Sequence, residues 1–162
     1  MSKMLDEIRQ QPATLERTLR GELRSFTALK KRFAAQPPRL VVLAARGTSD
    51  NAAQFGRYLI EITTGIPVSL AAPSVSTLYR SPLRLDGALL VAISQSGEST
   101  DTNVVLEQAR AHGAFTIGIT NERSSELARL ADHAVLVRAG REKSVAATKT
   151  YTGQLLAFYL LA

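Results

Sequence analysis

Two hydrophobic periods divide this chain. Between residues 13 and 35, Leu15, Leu19, Leu23, Phe26, Leu29 and Phe33 recur at spacings of three and four, with Arg17, Arg20, Arg24, Lys30, Lys31 and Arg32 interleaved. That pattern predicts an amphipathic helix with a basic outer face, closed by Gln36-Pro37-Pro38. A shorter helix over 4–10 precedes it and is broken at Pro12. From Arg39 onward short continuous apolar runs take over, near 40–45, 67–70, 88–93, 115–119 and 133–137. Such runs suit strands covered on both faces, and helical patterns over 50–64 and 100–112 lie between them. Gly65 and Gly113 stand where helix C-caps are expected. Five apolar runs separated by helices predict an α/β fold, a three-layer α-β-α sandwich with a five-stranded parallel sheet. The expected organisation is an N-terminal helical extension over 1–38 and one domain over 39–162.

The last segment, 148–162, is helical in pattern and almost wholly apolar from Leu155 to Ala162. It carries no terminal cap, glycine or charge, so it is expected to be covered by a partner subunit or by chain beyond it. On that expectation the isolated chain associates.

Composition narrows the chemistry. At 162 residues, 45% apolar and 21% charged, the chain has the make-up of a single globular domain. It contains no cysteine and two histidines, which excludes disulfides, thiolate metal sites and a cysteine nucleophile and argues against zinc. No metal and no organic cofactor are expected. The opening residues Met1 to Glu7 include acids where a signal peptide would be apolar, and no run approaches the roughly 20 apolar residues of a membrane span. A soluble, cytoplasmic protein with no membrane partner is the expectation. The net charge of +6 is uneven: residues 1–39 hold nine of the 20 Lys and Arg against four of the 14 acids, leaving eleven against ten elsewhere. The excess reads as a solvated helix face, with no nucleic-acid partner implied.

Two hydroxyl-rich loops carry the candidate chemistry. Ser94-Gln95-Ser96-Gly97-Glu98-Ser99-Thr100 joins the third apolar run to a helical pattern, and Arg46-Gly47-Thr48-Ser49 does the same after the first. Either loop alone reads as a helix cap. Two of them at the carboxyl ends of strands point to a ligand, because the free N–H groups and positive dipole end of a helix favour an anion there. Glu98 is the single carboxylate within these loops and the one weak candidate for acid-base chemistry, although it can equally stabilise a helix start. Asp101 and Thr102 are expected to cap and orient the following helix. His112 and His133 lie away from the predicted strand carboxyl ends and read as structural, and Lys149 reads as solvated.

With these loops and Glu142-Lys143-Ser144-Val145-Ala146-Ala147-Thr148-Lys149-Thr150 in view, the chain closely resembles the sugar isomerase (SIS) family over roughly 40–162. Ser94 to Thr102 stands as the family pattern Ser-Gln-Ser-Gly-Glu-Ser/Thr-x-Asp-Thr, and Arg46 to Ser49 matches its first loop. The resemblance implies a flavodoxin-like sheet and a phosphorylated sugar as ligand. It implies that Ser94, Gln95, Ser96 and Ser99 hold the phosphate, that Gly47, Thr48 and Ser49 lie near the sugar, and that Val145 and Ala146 line the site through their backbone. Within the family the likeness is to tandem two-domain members, the isomerase half of glutamine-fructose-6-phosphate aminotransferase and the glucosamine-6-phosphate deaminases. The preface Gln11-Pro12-Ala13-Thr14-Leu15 looks like that of the deaminase type. The Met1-Ser2 start leads to the expectation that no glutaminase domain with an N-terminal cysteine precedes the chain. Arg46 stands where the aminotransferases carry cysteine, and Ala147 where they commonly carry serine.

What the resemblance implies is aldose-ketose isomerisation or deamination between glucosamine 6-phosphate and fructose 6-phosphate. The tandem enzymes draw their catalytic glutamate and ring-opening histidine from a second SIS domain, so the base is expected from such a domain or from a partner subunit. Two other readings stay open: a non-catalytic phosphosugar sensor, for whose helix-turn-helix the first 39 residues are too short, and a single-domain isomerase completed by oligomerisation.

Overall fold

Strands β1 (Leu40–Ala45) and β3 (Ala88–Ile93) lie side by side at the centre of a five-stranded sheet. The computed structural model describes residues 2–162. Every strand pairing is parallel, and the order is β2-β1-β3-β4-β5, with β2 at Val68–Leu70, β4 at Phe115–Thr120 and β5 at His133–Leu136. The five parallel strands are those the apolar runs predict, and their order is the flavodoxin-like one that the resemblance implies.

Alternation along the strands sorts their side chains into two cores. Val41, Leu43, Val91, Ile93, Ile117, Ile119 and Val135 face one layer. That layer is built from α2 (Gln11–Ala35), α3 (Thr48–Thr64) and α7 (Lys149–Leu161), which contribute Phe26, Leu29, Ala52, Ala53, Ile60, Ala157 and Phe158. Val42, Ala44, Leu90 and Ala92 face the other, covered by Val105, Leu106 and Ala109 of α5 (Thr100–Ala111) and Leu127 of α6 (Glu126–Leu130). Two short helices, α1 (Lys3–Arg9) and α4 (Pro73–Thr77), complete the element list. No helix among the described residues is long and apolar enough to cross a membrane.

Three expectations are corrected. The long helix begins at Gln11, with Pro12 in its first turn, where the missing N–H costs nothing. Its buried residues in the first half are Thr14, Thr18 and Glu22, while Leu19 and Leu23 are 41% and 55% exposed. Polar residues face inward there because the neighbour is the polar chain beyond β5: Thr18 donates to the Val137 carbonyl, and Glu22 Oε1 accepts from Arg138 Nε and Nη2 at 2.9 and 2.6 Å. The apolar C-terminal helix is covered within the chain itself. α7 packs against α2 and α3, and of its apolar side chains only Tyr159 is largely exposed.

Candidate functional site

In the order 2-1-3, α3 leaves β1 toward one face of the sheet and α5 leaves β3 toward the other. The chain therefore parts at the carboxyl ends of β1 and β3, and a crevice opens between the two departing helices. A cavity of about 220 Å³ occupies this crevice. Both hydroxyl-rich loops wall it, with Arg46, Thr48 and Ser49 on one side and Ser94, Gln95, Ser96, Ser99 and Thr102 on the other. Val145, Ala147, Thr150 and Gln154 close it from the segment that enters α7 and from α7 itself.

Each loop is fixed by its own polar groups. The Gly97 N–H donates to Ser94 Oγ at 3.1 Å, and the Glu98 N–H to Ser96 Oγ at 3.3 Å. The Gln95 carbonyl accepts from the Asn121 N–H at 3.1 Å and from Thr120 Oγ1 at 3.2 Å, both at the end of β4. The Gly97 carbonyl accepts from the Leu127 N–H at 3.0 Å and from Asn103 Nδ2 at 3.2 Å. The loop is thus held from beneath, away from the cavity. Ser99, the N-cap of α5, makes no side-chain cap and shares a 3.0 Å hydrogen bond with Thr102 Oγ1. Gly47, the N-cap of α3, has no side chain to offer. Both helices consequently begin with first-turn N–H groups that no side-chain cap satisfies, and an anion between them meets two positive dipole ends.

The charge inventory is short. Arg46 is the only ionisable side chain among the described residues lining the cavity. It reaches Asp101 in the first turn of α5 at 3.7 Å, an exposed and loose pair. Glu98 faces elsewhere: its carboxylate accepts the Glu126 N–H at 3.0 Å, at the first residue of α6, and it is absent from the cavity wall. The histidines are also remote. His112 bonds the Gln108 carbonyl at 2.8 Å, and His133 bonds Ser25 Oγ at 2.5 Å on the far edge of the sheet. No cluster of three or more His, Cys, Asp or Glu among the described residues could hold a metal ion.

The structure gathers Thr48, Ser49, Ser94, Gln95, Ser96, Ser99 and Val145 around one cavity, with Gly47 (φ 59°) forming the turn beneath Thr48. Ala146 lies outside the wall, where Ala147 stands instead. Lys149 is neither solvated nor at the cavity. It is 4% exposed, and its ammonium donates to Gln10 Oε1 and to the Arg141 carbonyl, each at 2.8 Å. Sequence reasoning missed Thr150 and Gln154. The available signal was a polar pair four residues apart, on one face of a helix that turns apolar from Leu155 onward. Gln154 is 2% exposed, its Nε2 donates to Ser49 Oγ at 3.1 Å, and its Oε1 has no partner.

The SIS domain profile matches residues 35–162. Glutamine–fructose-6-phosphate aminotransferase [isomerizing] of Gloeobacter violaceus is 41% identical over 98% of this chain, and that of Symbiobacterium thermophilum is 42% identical over the same share. The chain spans about a quarter, 27%, of the length of each. Among solved structures, a protein inferred to be a phosphosugar isomerase, from Silicibacter pomeroyi DSS-3, superposes with a TM-score of 0.96 at 35% identity over 99% of this chain and 49% of its own. The C-terminal domain of glucosamine-fructose-6-phosphate aminotransferase from Francisella tularensis gives 0.85 at 34% identity, over 98% of this chain and 46% of its own. The paired loops at the switch point, the sheet order and these likenesses agree: the chain belongs to the SIS domain family.

Proposed function

We propose that this chain holds a hexose or amino-sugar 6-phosphate, with the phosphate against Ser94, Gln95, Ser96, Ser99 and the first turn of α5. The sugar then extends toward Thr48, Ser49 and the Val145–Ala147 wall. The reaction served is isomerisation or deamination between glucosamine 6-phosphate and fructose 6-phosphate. One observation carries the division of labour: the cavity wall offers hydroxyls, amides and one guanidinium, but no carboxylate or imidazole. Moving a proton between C1 and C2 of an open-chain sugar needs a base within hydrogen-bond reach. That base has to come from a second SIS domain or a partner subunit, and this chain contributes binding and orientation. The relatives whose length exceeds the chain several-fold support the same reading.

Calorimetric titration with glucosamine 6-phosphate and fructose 6-phosphate, followed by isomerase and ammonia-release assays on the same sample, tests it. Binding that Ser96→Ala weakens, without turnover, is expected. Turnover by the chain alone would overturn the need for a second SIS domain and mean that an oligomer of this chain completes the site, and absence of binding would overturn the phosphate assignment.

A further inference from the structure

α1 is docked by a carboxylate. Its three large apolar side chains, Met4, Leu5 and Ile8, are 44%, 42% and 38% exposed, and its one buried residue is Glu7. A helix held by hydrophobic packing buries the opposite set. The Glu7 carboxylate instead meets the segment before α7, accepting the Lys143 N–H at 2.6 Å, the Ser144 N–H at 3.1 Å and the Ser144 hydroxyl. Three residues on, Gln10 takes the buried Lys149 ammonium.

The segment so held has no regular secondary structure and little packing of its own, since the Val145 side chain stands fully in solvent. Its far end is folded onto α7 by Glu142. There Oε1 accepts the Thr148 and Lys149 N–H groups at 2.7 and 2.9 Å, and Oε2 accepts the Thr150 hydroxyl. Between the two carboxylates sit Val145 and Ala147, the residues that wall the cavity opposite the Ser94–Ser99 loop. Polar bonds to Glu7 and Glu142, rather than core contacts, therefore place that wall. Glu142 lies on the segment itself, whereas Glu7 reaches it from another helix.

We propose that Glu7 is a positioning residue, which acts through the Lys143–Ser144 backbone to set the wall over the sugar half of the ligand. This rests on the phosphosugar reading above. The Ser94–Ser99 loop is held by β4, α5 and α6, and the Glu7 carboxylate bonds Lys143 and Ser144 instead, so the phosphate half of the site is independent of it. An anchor serving only stability would affect both halves or neither.

Dissociation constants for inorganic phosphate and for glucosamine 6-phosphate, measured on the wild-type chain, Glu7→Gln and Ser144→Ala, separate the cases. The isosteric Glu7→Gln turns an N–H toward a backbone donor and loses at least one charged hydrogen bond. It is expected to weaken glucosamine 6-phosphate by about tenfold while leaving phosphate unchanged. Ser144→Ala removes one donor from the loop side, keeps α1 intact, and is expected to move the sugar phosphate alone by a smaller factor. Equal losses for both ligands, or no loss in either variant, would overturn the positioning role while leaving the site assignment standing. A wild-type chain that binds phosphate no more weakly than glucosamine 6-phosphate would overturn the phosphosugar reading itself, and the positioning role with it.

Discussion

Gly97 occupies a backbone position that admits no side chain. Its φ is +68°, and a Cβ there would run into the Ser125 side chain and come within 2.9 Å of Thr120 Oγ1. Gly97→Ala would therefore combine a left-handed backbone with a steric collision, at a cost of about 2–3 kcal/mol. Urea unfolding is expected to show that loss together with a weakened phosphate site, because the carbonyl and N–H of Gly97 set the loop. An unchanged urea midpoint would remove the strain argument. Arg46 presents the opposite case, a side chain with little structural work. Its exposed 3.7 Å pair with Asp101 is worth at most about 1 kcal/mol. Arg46→Ala should leave the thermal midpoint where it is, yet weaken a dianionic sugar phosphate by about tenfold and flatten the salt dependence of binding. Salt-titrated calorimetry reads both effects, and an unaltered affinity would place the guanidinium outside the ligand's reach.

At the scale of elements, what the sequence made legible follows from how unambiguous each hydrophobic pattern is. The four longer apolar runs became strands within a residue or so of their expected limits, because an uninterrupted apolar stretch bounded by Gly or Pro has few alternatives in an α/β chain. The two hydroxyl-rich loops were legible for a related reason: small polar residues after a buried strand have no core role to explain them. α4 and α6, five residues each, are too short to show a period. The inward face of α2 was misjudged because periodicity marks leucines, and Thr18 and Glu22 answer to the Val137 carbonyl and the Arg138 guanidinium beyond β5, more than a hundred residues away. The partner of α7 was equally invisible, since an apolar helix covered on two sides by its own chain reads like one with nothing to cover it. Gly56 is the residue that seats it: a Cβ there would overlap the Phe158 ring. Gly56→Ala gains helix propensity in α3 but pushes Phe158 out of a fully buried position. A net loss of about 1–3 kcal/mol is expected from thermal unfolding, and a stabilised variant would mean that α7 sits loosely.

Across the whole molecule, two groups tie stability to pH with the same sign. Half-buried His133 is held below its ordinary value of 6.5 by desolvation, against the opposing charge of Glu22. On acidification the unfolded chain takes up that proton first, so stability begins to fall near pH 6.5 and continues through the lower folded value. Glu7 is held below 4.5, first by the Ser144 hydroxyl and then by the Lys143 N–H. Its contribution is present above pH 4.5 and is lost as the pH falls through its depressed value. Denaturant unfolding across a pH series should therefore show two stages, and substitutions separate them from the general titration of carboxylates. Relative to His133→Gln, the wild-type chain loses ground once the pH drops below 6.5. Relative to Glu7→Gln, it keeps its advantage to pH 4.5 and surrenders it only below. The second stage belongs to α1 and the segment it holds, so protection of the Lys143 and Ser144 amides against hydrogen exchange, relative to the intrinsic rate at each pH, should fall there, while the Ser94–Ser99 loop stays protected. Parallel curves for all three proteins would mean that neither group changes its proton affinity on folding.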